Sequence, residues 1–196
     1  MNDIHIAEFS KKLKESTALP HQQLEALPIS KAIISPDIDK DTYIKYLTLM
    51  HDIVKDAEEN IFPILNTVIP DLEQRNKTLL IQADLRFLGA TYTTNSKPVS
   101  NGNTFSTGFA MGVLYVIEGS SLGGRVILKN IEKTLGYNSS NGATYFSGYG
   151  DKTGTYWKAF INKLSEYEKE NNDGEEIIKG AYYAFDAIKK HLATHS

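Results

Sequence analysis

The sequence predicts an all-α chain, and three observations carry that reading. Apolar residues recur at steps of three and four along most of the 196 residues, the spacing that gathers them on one face of a helix. No segment alternates apolar and polar residues as a half-buried strand does. Two polar, glycine-containing stretches, 91–104 and 138–154, interrupt the periodic segments as loops do. The length suits one domain with a sizeable core. No repeat or low-complexity tract divides it, so residues 1–196 are expected to form a single-domain helical bundle.

The elements follow in order. Phe9, Leu13, Thr17, His21, Leu24 and Leu27 share a face of a first helix ending at Pro28, with a kink expected at Pro20, which has no amide hydrogen. Asp41 is the expected N-cap of a second helix, with Ile44, Leu47, Val54 and Ile61 inward and a close near Pro63. Asp71 opens a third, with Leu72, Leu79, Ala83 and Leu88 inward and Gly89 as its stop. A glycine-rich helix comes next, carried by Phe105, Phe109, Val113 and Val116, then by Val126, Ile127, Leu128 and Ile131. Trp157, Phe160, Ile161 and Leu164 mark another helix. The last begins at Asp173–Glu175 and carries Ile177, Ile178, Ala181, Phe185, Ile188 and Leu192.

Composition narrows the function. With 41% hydrophobic and 23% charged residues the chain reads as a soluble globular protein. A net charge of −3 without a basic run argues against a nucleic-acid surface. The absence of cysteine removes disulfides, thiolate metal sites, iron–sulfur clusters and cysteine nucleophiles together. Ligands held by histidine or carboxylate stay open. The charged N-terminus is not a signal peptide, and no run approaches the roughly 20 apolar residues of a membrane span. The expected location is the cytoplasm, without a membrane partner.

The most informative segment is YVIEGSSLGGRVI, residues 115–127. Gly119, Gly123 and Gly124 lie in it, with Gly108 and Gly112 a few turns earlier. Each glycine costs a helix roughly 1 kcal/mol relative to alanine, so the five cost about 4–5 kcal/mol. The segment reads as a break inside a helix, where missing side chains let another helix or a flat ligand approach the backbone.

His21 is the candidate ligand. A histidine on an apolar helix face is by default a hydrogen-bonded core residue. Two features weigh against that default: Glu25 stands one turn on, able to orient the imidazole, and Pro20 directly precedes it. Lys14 lies two turns back, roughly 10 Å along the axis, which matches the distance from a heme iron to its propionates. Lys11 and Lys12 read as a solvated face. His5, His191 and His195, near the termini, read as exposed, and His51 belongs to no metal-ligand spacing. Glu58 and Glu118 are carboxylates that can face inward, but no Glu-x-x-His pair accompanies them, as a di-iron bundle would require.

In sequence order LKESTALPHQQLE (13–25), DAEENIF (56–62), LLIQADLRFLG (79–89), YVIEGSSLGGRVI (115–127), SGYGDKTGTYWKAF (147–160) and AYYAFDAIKKHL (181–192) resemble the heme oxygenases. The likeness is strongest to the bacterial, biliverdin-producing branch associated with bacteriophytochromes. The most specific signals are Thr17-x-x-x-His21 and the run EGSSLGGR.

The resemblance implies a bundle that holds heme b between a proximal and a glycine-rich distal helix. It implies His21 as the proximal iron ligand, Glu25 as its partner, Lys14 and Lys158 as propionate partners, and Phe185 as an aromatic near the heme edge. Gly119, Ser120, Gly123 and Gly124 match the bent distal helix. Heme would be both cofactor and substrate, cleaved with O2 and external electrons to biliverdin, CO and ferrous iron. The donor would be a ferredoxin or reductase, and a phytochrome would be a candidate acceptor of the product.

Three departures stand out. Ser120 replaces the aspartate of animal members, as in the bacterial branch; Asn162 stands where animal members place an arginine; and Pro20 adjoins the ligand. Arg125 or the backbone is the candidate anchor for catalytic water, with a surface salt bridge as the alternative role for Arg125. A heme carrier or sensor without turnover is the alternative function. Another chemistry on the same scaffold, di-iron or cofactor-free, is a further one.

Overall fold

The computed structural model describes residues 2–92 and 96–194. Among these described residues nine α-helices follow in order: α1 Asn2–Ser16, α2 Ala18–Glu25, α3 Pro28–Ala32, α4 Lys40–Asn60, α5 Phe62–Leu65, α6 Thr78–Phe87, α7 Thr107–Leu135, α8 Thr153–Asn171 and α9 Gly174–Thr194. Short 3₁₀ turns lie at Leu72–Arg75, Tyr145–Ser147 and Gly150–Lys152. Among the described residues there is no β-strand, so the all-α expectation holds.

The first helix divides in two. The break falls at Thr17 rather than Pro20, because Thr17 leaves the helical region (φ −94°, ψ 4°) while its hydroxyl donates to the Leu13 carbonyl at 2.8 Å. Pro20 then sits in the first turn of α2, where a missing amide hydrogen leaves no helical bond unmade. The helix cap expected at Asp41 is supplied by Asp39, which accepts from Thr42 N at 2.7 Å. Pro63 opens α5 rather than closing α4.

The third expected helix loses its opening turns to the 3₁₀ segment and begins at Thr78. Its start is capped from outside: the Glu58 carboxylate of α4 accepts from the amides of Lys77 (2.5 Å) and Thr78 (3.0 Å). Its phase also differs from expectation. Leu79 is exposed and Ala83 faces solvent, while Ile81, Leu85 and Leu88 are buried. Gly89, at φ +73°, is the stop.

The long helix α7 forms the centre of the core, with Gly108 through Glu118 almost wholly buried. It is helical without interruption from residue 107 to 135, so the expected break is absent. Among the described residues α7 alone is long and apolar enough to cross a membrane; its packing makes it a core helix. It packs most extensively on α9, and glycines make that approach possible. A Cβ on Gly112 would collide with the Ile177 carbonyl, and one on Gly180 with the Phe109 carbonyl. Two of the five glycines, Gly108 and Gly112, therefore serve helix packing: a methyl at Gly108 would meet the Asp173 side chain.

His191, expected at the surface, is buried 3.1 Å from the Asp52 carboxylate of α4. Its position on the inward face of α9 overrides its nearness to the terminus. His195 lies outside the described residues.

Candidate active site

The helix α2 buries none of its own residues completely, which is unusual for an element in a packed bundle. His21 projects from it with 55% of its side chain exposed. Its Nδ1 lies 3.5 Å from a Glu25 oxygen, which leaves Nε2 as the free ring nitrogen. The Phe185 ring, buried on α9, meets the imidazole edge-on at 5.7 Å and 86°. The proximity of Glu25 to His21 was legible from its spacing of one helical turn, whereas that of Phe185 was legible only through the resemblance.

Across the site, α7 changes character abruptly at Gly119. Nearly every residue from 108 to 118 is buried, whereas Ser120, Leu122, Gly123, Arg125 and Val126 are exposed. Leu122 at 47% and Val126 at 64% exposure put apolar surface on an otherwise buried helix, the composition of a ligand groove. A Cβ on Gly123 would meet nothing within 4 Å. Gly119 faces the Trp157 ring, whose nearest atoms would lie 3.6 Å from a Cβ. Gly124 packs under the Phe146 carbonyl, 2.8 Å from where a Cβ would be. The run thus faces three neighbours: an aromatic ring, open space and a loop backbone.

The Tyr115 hydroxyl of α7 lies near the Thr17 side chain at the α1–α2 joint. One turn beyond this contact on the two helices stand Gly119 and His21. This contact ties the joint before the His21 helix to the helix that carries the glycine run.

The remaining expected residues lie outside that contact. Lys14 is exposed on α1, and Lys158 is exposed on α8, on an open face it shares with Gly154, Thr155 and Asn162. Arg125 lies against Asp151 at 2.9 Å and the Gly150 carbonyl at 3.2 Å. That is the salt-bridge role weighed for it. The Ser120 hydroxyl donates back to the Ile117 carbonyl at 2.7 Å.

Sequence reasoning missed a buried ionic cluster beneath the glycine run. Glu118, 2% exposed, accepts from Arg75 at 2.6 Å and Lys77 at 3.0 Å. Tyr149 donates to the same carboxylate (2.8 and 2.9 Å) and accepts from Lys77 at 2.8 Å. Asp71 holds the other edge of Arg75 at 2.8 Å. Burial pulls the Lys77 ammonium below the usual lysine range against the opposing attraction of Glu118. Burial also pushes the Tyr149 phenol far up, reinforced by the Glu118 charge. Glu118 and Glu58 are thus both taken up by protein donors, and no group of three acidic or histidine side chains among the described residues could hold a metal ion.

A family model described as heme oxygenase matches residues 7–194. The chain belongs to the heme oxygenase family. It is 30% identical to a heme oxygenase of Xanthomonas campestris pv. campestris over 81% of this chain and 93% of that one. Heme oxygenase PigA of Pseudomonas aeruginosa is 28% identical over 90% and 87%. The solved heme oxygenase of Neisseria meningitidis, in its NO- and CO-bound forms, superposes with a TM-score of 0.78 at 29% identity, covering 95% and 91%. This heme oxygenase is accordingly an enzyme that binds heme, as substrate and cofactor, and cleaves it to biliverdin.

The residues present fit that group. Heme needs an axial donor, a flat space and apolar contact, and α2, α7 and α9 carry an exposed imidazole, an open glycine face, Leu122, Val126 and Phe185.

Proposed function

We propose that heme lies in the cleft between α2 and α7, with His21 Nε2 toward the iron and the Gly119–Gly124 face against the opposite side of the ring. The observation that carries this reading is an exposed, partly apolar stretch on a core helix together with an exposed histidine whose Nε2 is free. Glu25 sits at Nδ1, where a carboxylate fixes the ring orientation and raises the basicity of the other nitrogen. Phe185 blocks rotation of the imidazole from the α9 side. Lys14 and Lys158 supply the cationic edge for the propionates, and a lysine there forms a point-charge contact.

Bound heme supplies the iron that activates O2 against its own ring. The chain's part is to hold that ring under a low ceiling. A methyl at position 123 would fill space that the structure leaves open, so glycine keeps room above the ring. The Ser120 hydroxyl, turned back to Ile117, offers its lone pairs rather than its proton to that space. Trp157 shields the Gly119 side from bulk water.

The electrons come from a separate protein, a reductase or ferredoxin. An acidic donor would meet the lysine edge. The reading includes a cytoplasmic location and a phytochrome as a candidate acceptor of biliverdin.

Heme titration followed by reduction under air, with catalase present, tests this reading. Wild type is expected to lose its Soret band as biliverdin absorbance grows, and His21→Ala is expected to lose that reaction. A Soret complex that survives repeated reduction would make the protein a heme binder without turnover.

A further inference from the structure

Behind the glycine face lies a small, partly enclosed cavity of about 30 Å³, enough for a water molecule, which needs roughly 10–15 Å³. Its walls include Lys77, Ser120, Ser121, Gly124, Tyr145 and Phe146. Two polar groups there lack protein partners for part of their capacity. The Ser121 Oγ is buried without a hydrogen bond. Of the three hydrogens on the Lys77 ammonium, two are directed to Glu118 and Tyr149. Ser120 belongs both to this wall and to the exposed face of α7, so it stands between the cavity and the cleft.

We propose that this cavity holds ordered water and that Lys77 is the proton donor behind the distal helix, passing protons through that water and past Ser120 into the heme cleft. The inference rests on the heme position proposed above. It fills the place first considered for Arg125, whose guanidinium is held by the 150–151 loop.

The transfer balances without a further reactant. An N–H bond of the ammonium breaks, an O–H bond forms on the cavity water, and that water releases a proton on its cleft side. The amine left behind regains a proton from solvent through the half-buried Tyr149 hydroxyl. The charged and titratable groups facing Lys77 are Glu118 of α7, Arg75 of the preceding turn, Glu58 of α4 and Tyr149 of the loop. Two carboxylates against one guanidinium keep the ammonium in place, while burial makes it readier to release a proton.

The test uses the full chain with Lys77→Arg and Lys77→Met. Lys77→Arg keeps the charge and the contact with Glu118, but arginine does not give up its proton in proteins. A purely structural role would be rescued by arginine; a proton-donating role would not. General acid catalysis contributes on the order of 100-fold or more. Both variants are therefore expected to bind heme within about threefold of wild type and to degrade it about 100-fold more slowly.

An independent readout needs no heme: the ¹³Cε shift of Lys77 in the apoprotein is expected to titrate below the ordinary lysine value of 10.5. Wild-type turnover matched by Lys77→Arg, or Lys77 titrating at or above the ordinary value, overturns the proposal while leaving the heme site intact. A wild type that binds heme and never degrades it overturns the oxygenase mechanism and this proposal together. Should Lys77→Met fail to fold, Lys77→Arg and the apoprotein titration still decide the matter.

Discussion

Lys77 and Glu118 form a buried ion pair, 3.0 Å apart, one residue before the glycine run begins. Both side chains are almost fully shielded from water, and Arg75 closes on the same carboxylate from the other side at 2.6 Å. The segment proposed as the ceiling over heme is thus anchored by charge.

Removing one partner from such a cluster leaves the others buried and uncompensated, which typically costs 3–5 kcal/mol. Glu118→Ala leaves two cations facing each other. It is expected to lower unfolding free energy by about 3 kcal/mol or more, measured by urea denaturation. Loss of under 1 kcal/mol would mean that water replaces the carboxylate.

The glycines separate into two kinds, and alanine tells them apart. Gly180→Ala places a methyl against the Phe109 carbonyl and is expected to cost at least about 1–3 kcal/mol through overpacking. Gly123→Ala meets nothing within 4 Å and should gain about 1 kcal/mol from helix propensity. The same Gly123→Ala is expected to slow heme cleavage severalfold, because the proposed heme position uses the space it fills. Thermal melts and turnover, taken together, check both halves.

Alkaline unfolding follows from buried phenols. Burial pushes Tyr46 up to about 12 and raises Tyr43, Tyr145 and Tyr149 further. A group whose folded pKa is raised stabilises fully below its unfolded pKa and loses that contribution as pH climbs toward the folded value. Stability should therefore fall from pH ~10 upward, the unfolded tyrosine value. Lys77, whose folded pKa is lowered, acts in the opposite sense over the same range, but it is one group against these four phenols and the similarly raised Tyr115 and Tyr167. Tyrosinate absorbance at 295 nm is expected to rise for these phenols only as helical circular dichroism is lost.

Arg125 offers a contrast with Lys77. Its pair with Asp151 lies in solvent, where ion pairs contribute little. Arg125→Ala is expected to retain heme binding and turnover within about twofold and to melt within a degree or two of wild type. A large loss of turnover with normal heme affinity would restore Arg125 to the mechanism.

The periodicity of the chain made the helices legible, because a 3.6-residue repeat survives in sequence wherever one face is buried. It misplaced the phase of α6, since Leu79 and Ala83 are as apolar as the buried Leu85. It also misjudged His191, whose burial depends on Asp52, 139 positions away. The glycines announced a close approach, but the sequence did not show that Gly112 meets a helix while Gly123 meets open space. Arg75 and Lys77, in LEQRNK, look like surface residues. Only the fold brings them under Glu118, and the one advance signal was an acidic residue inside an apolar helix.

The central claim is that His21 binds the heme iron, and the most direct measurement is the optical and EPR spectrum of ferric heme bound to wild type and His21→Ala, with and without added imidazole. Because His21 is largely exposed, its removal should leave the fold unchanged by circular dichroism. The account predicts a histidine-ligated spectrum in wild type, its loss in His21→Ala, and its return, together with heme cleavage, when imidazole fills the vacated site. An unchanged heme spectrum in His21→Ala would place the iron ligand elsewhere and contradict the account.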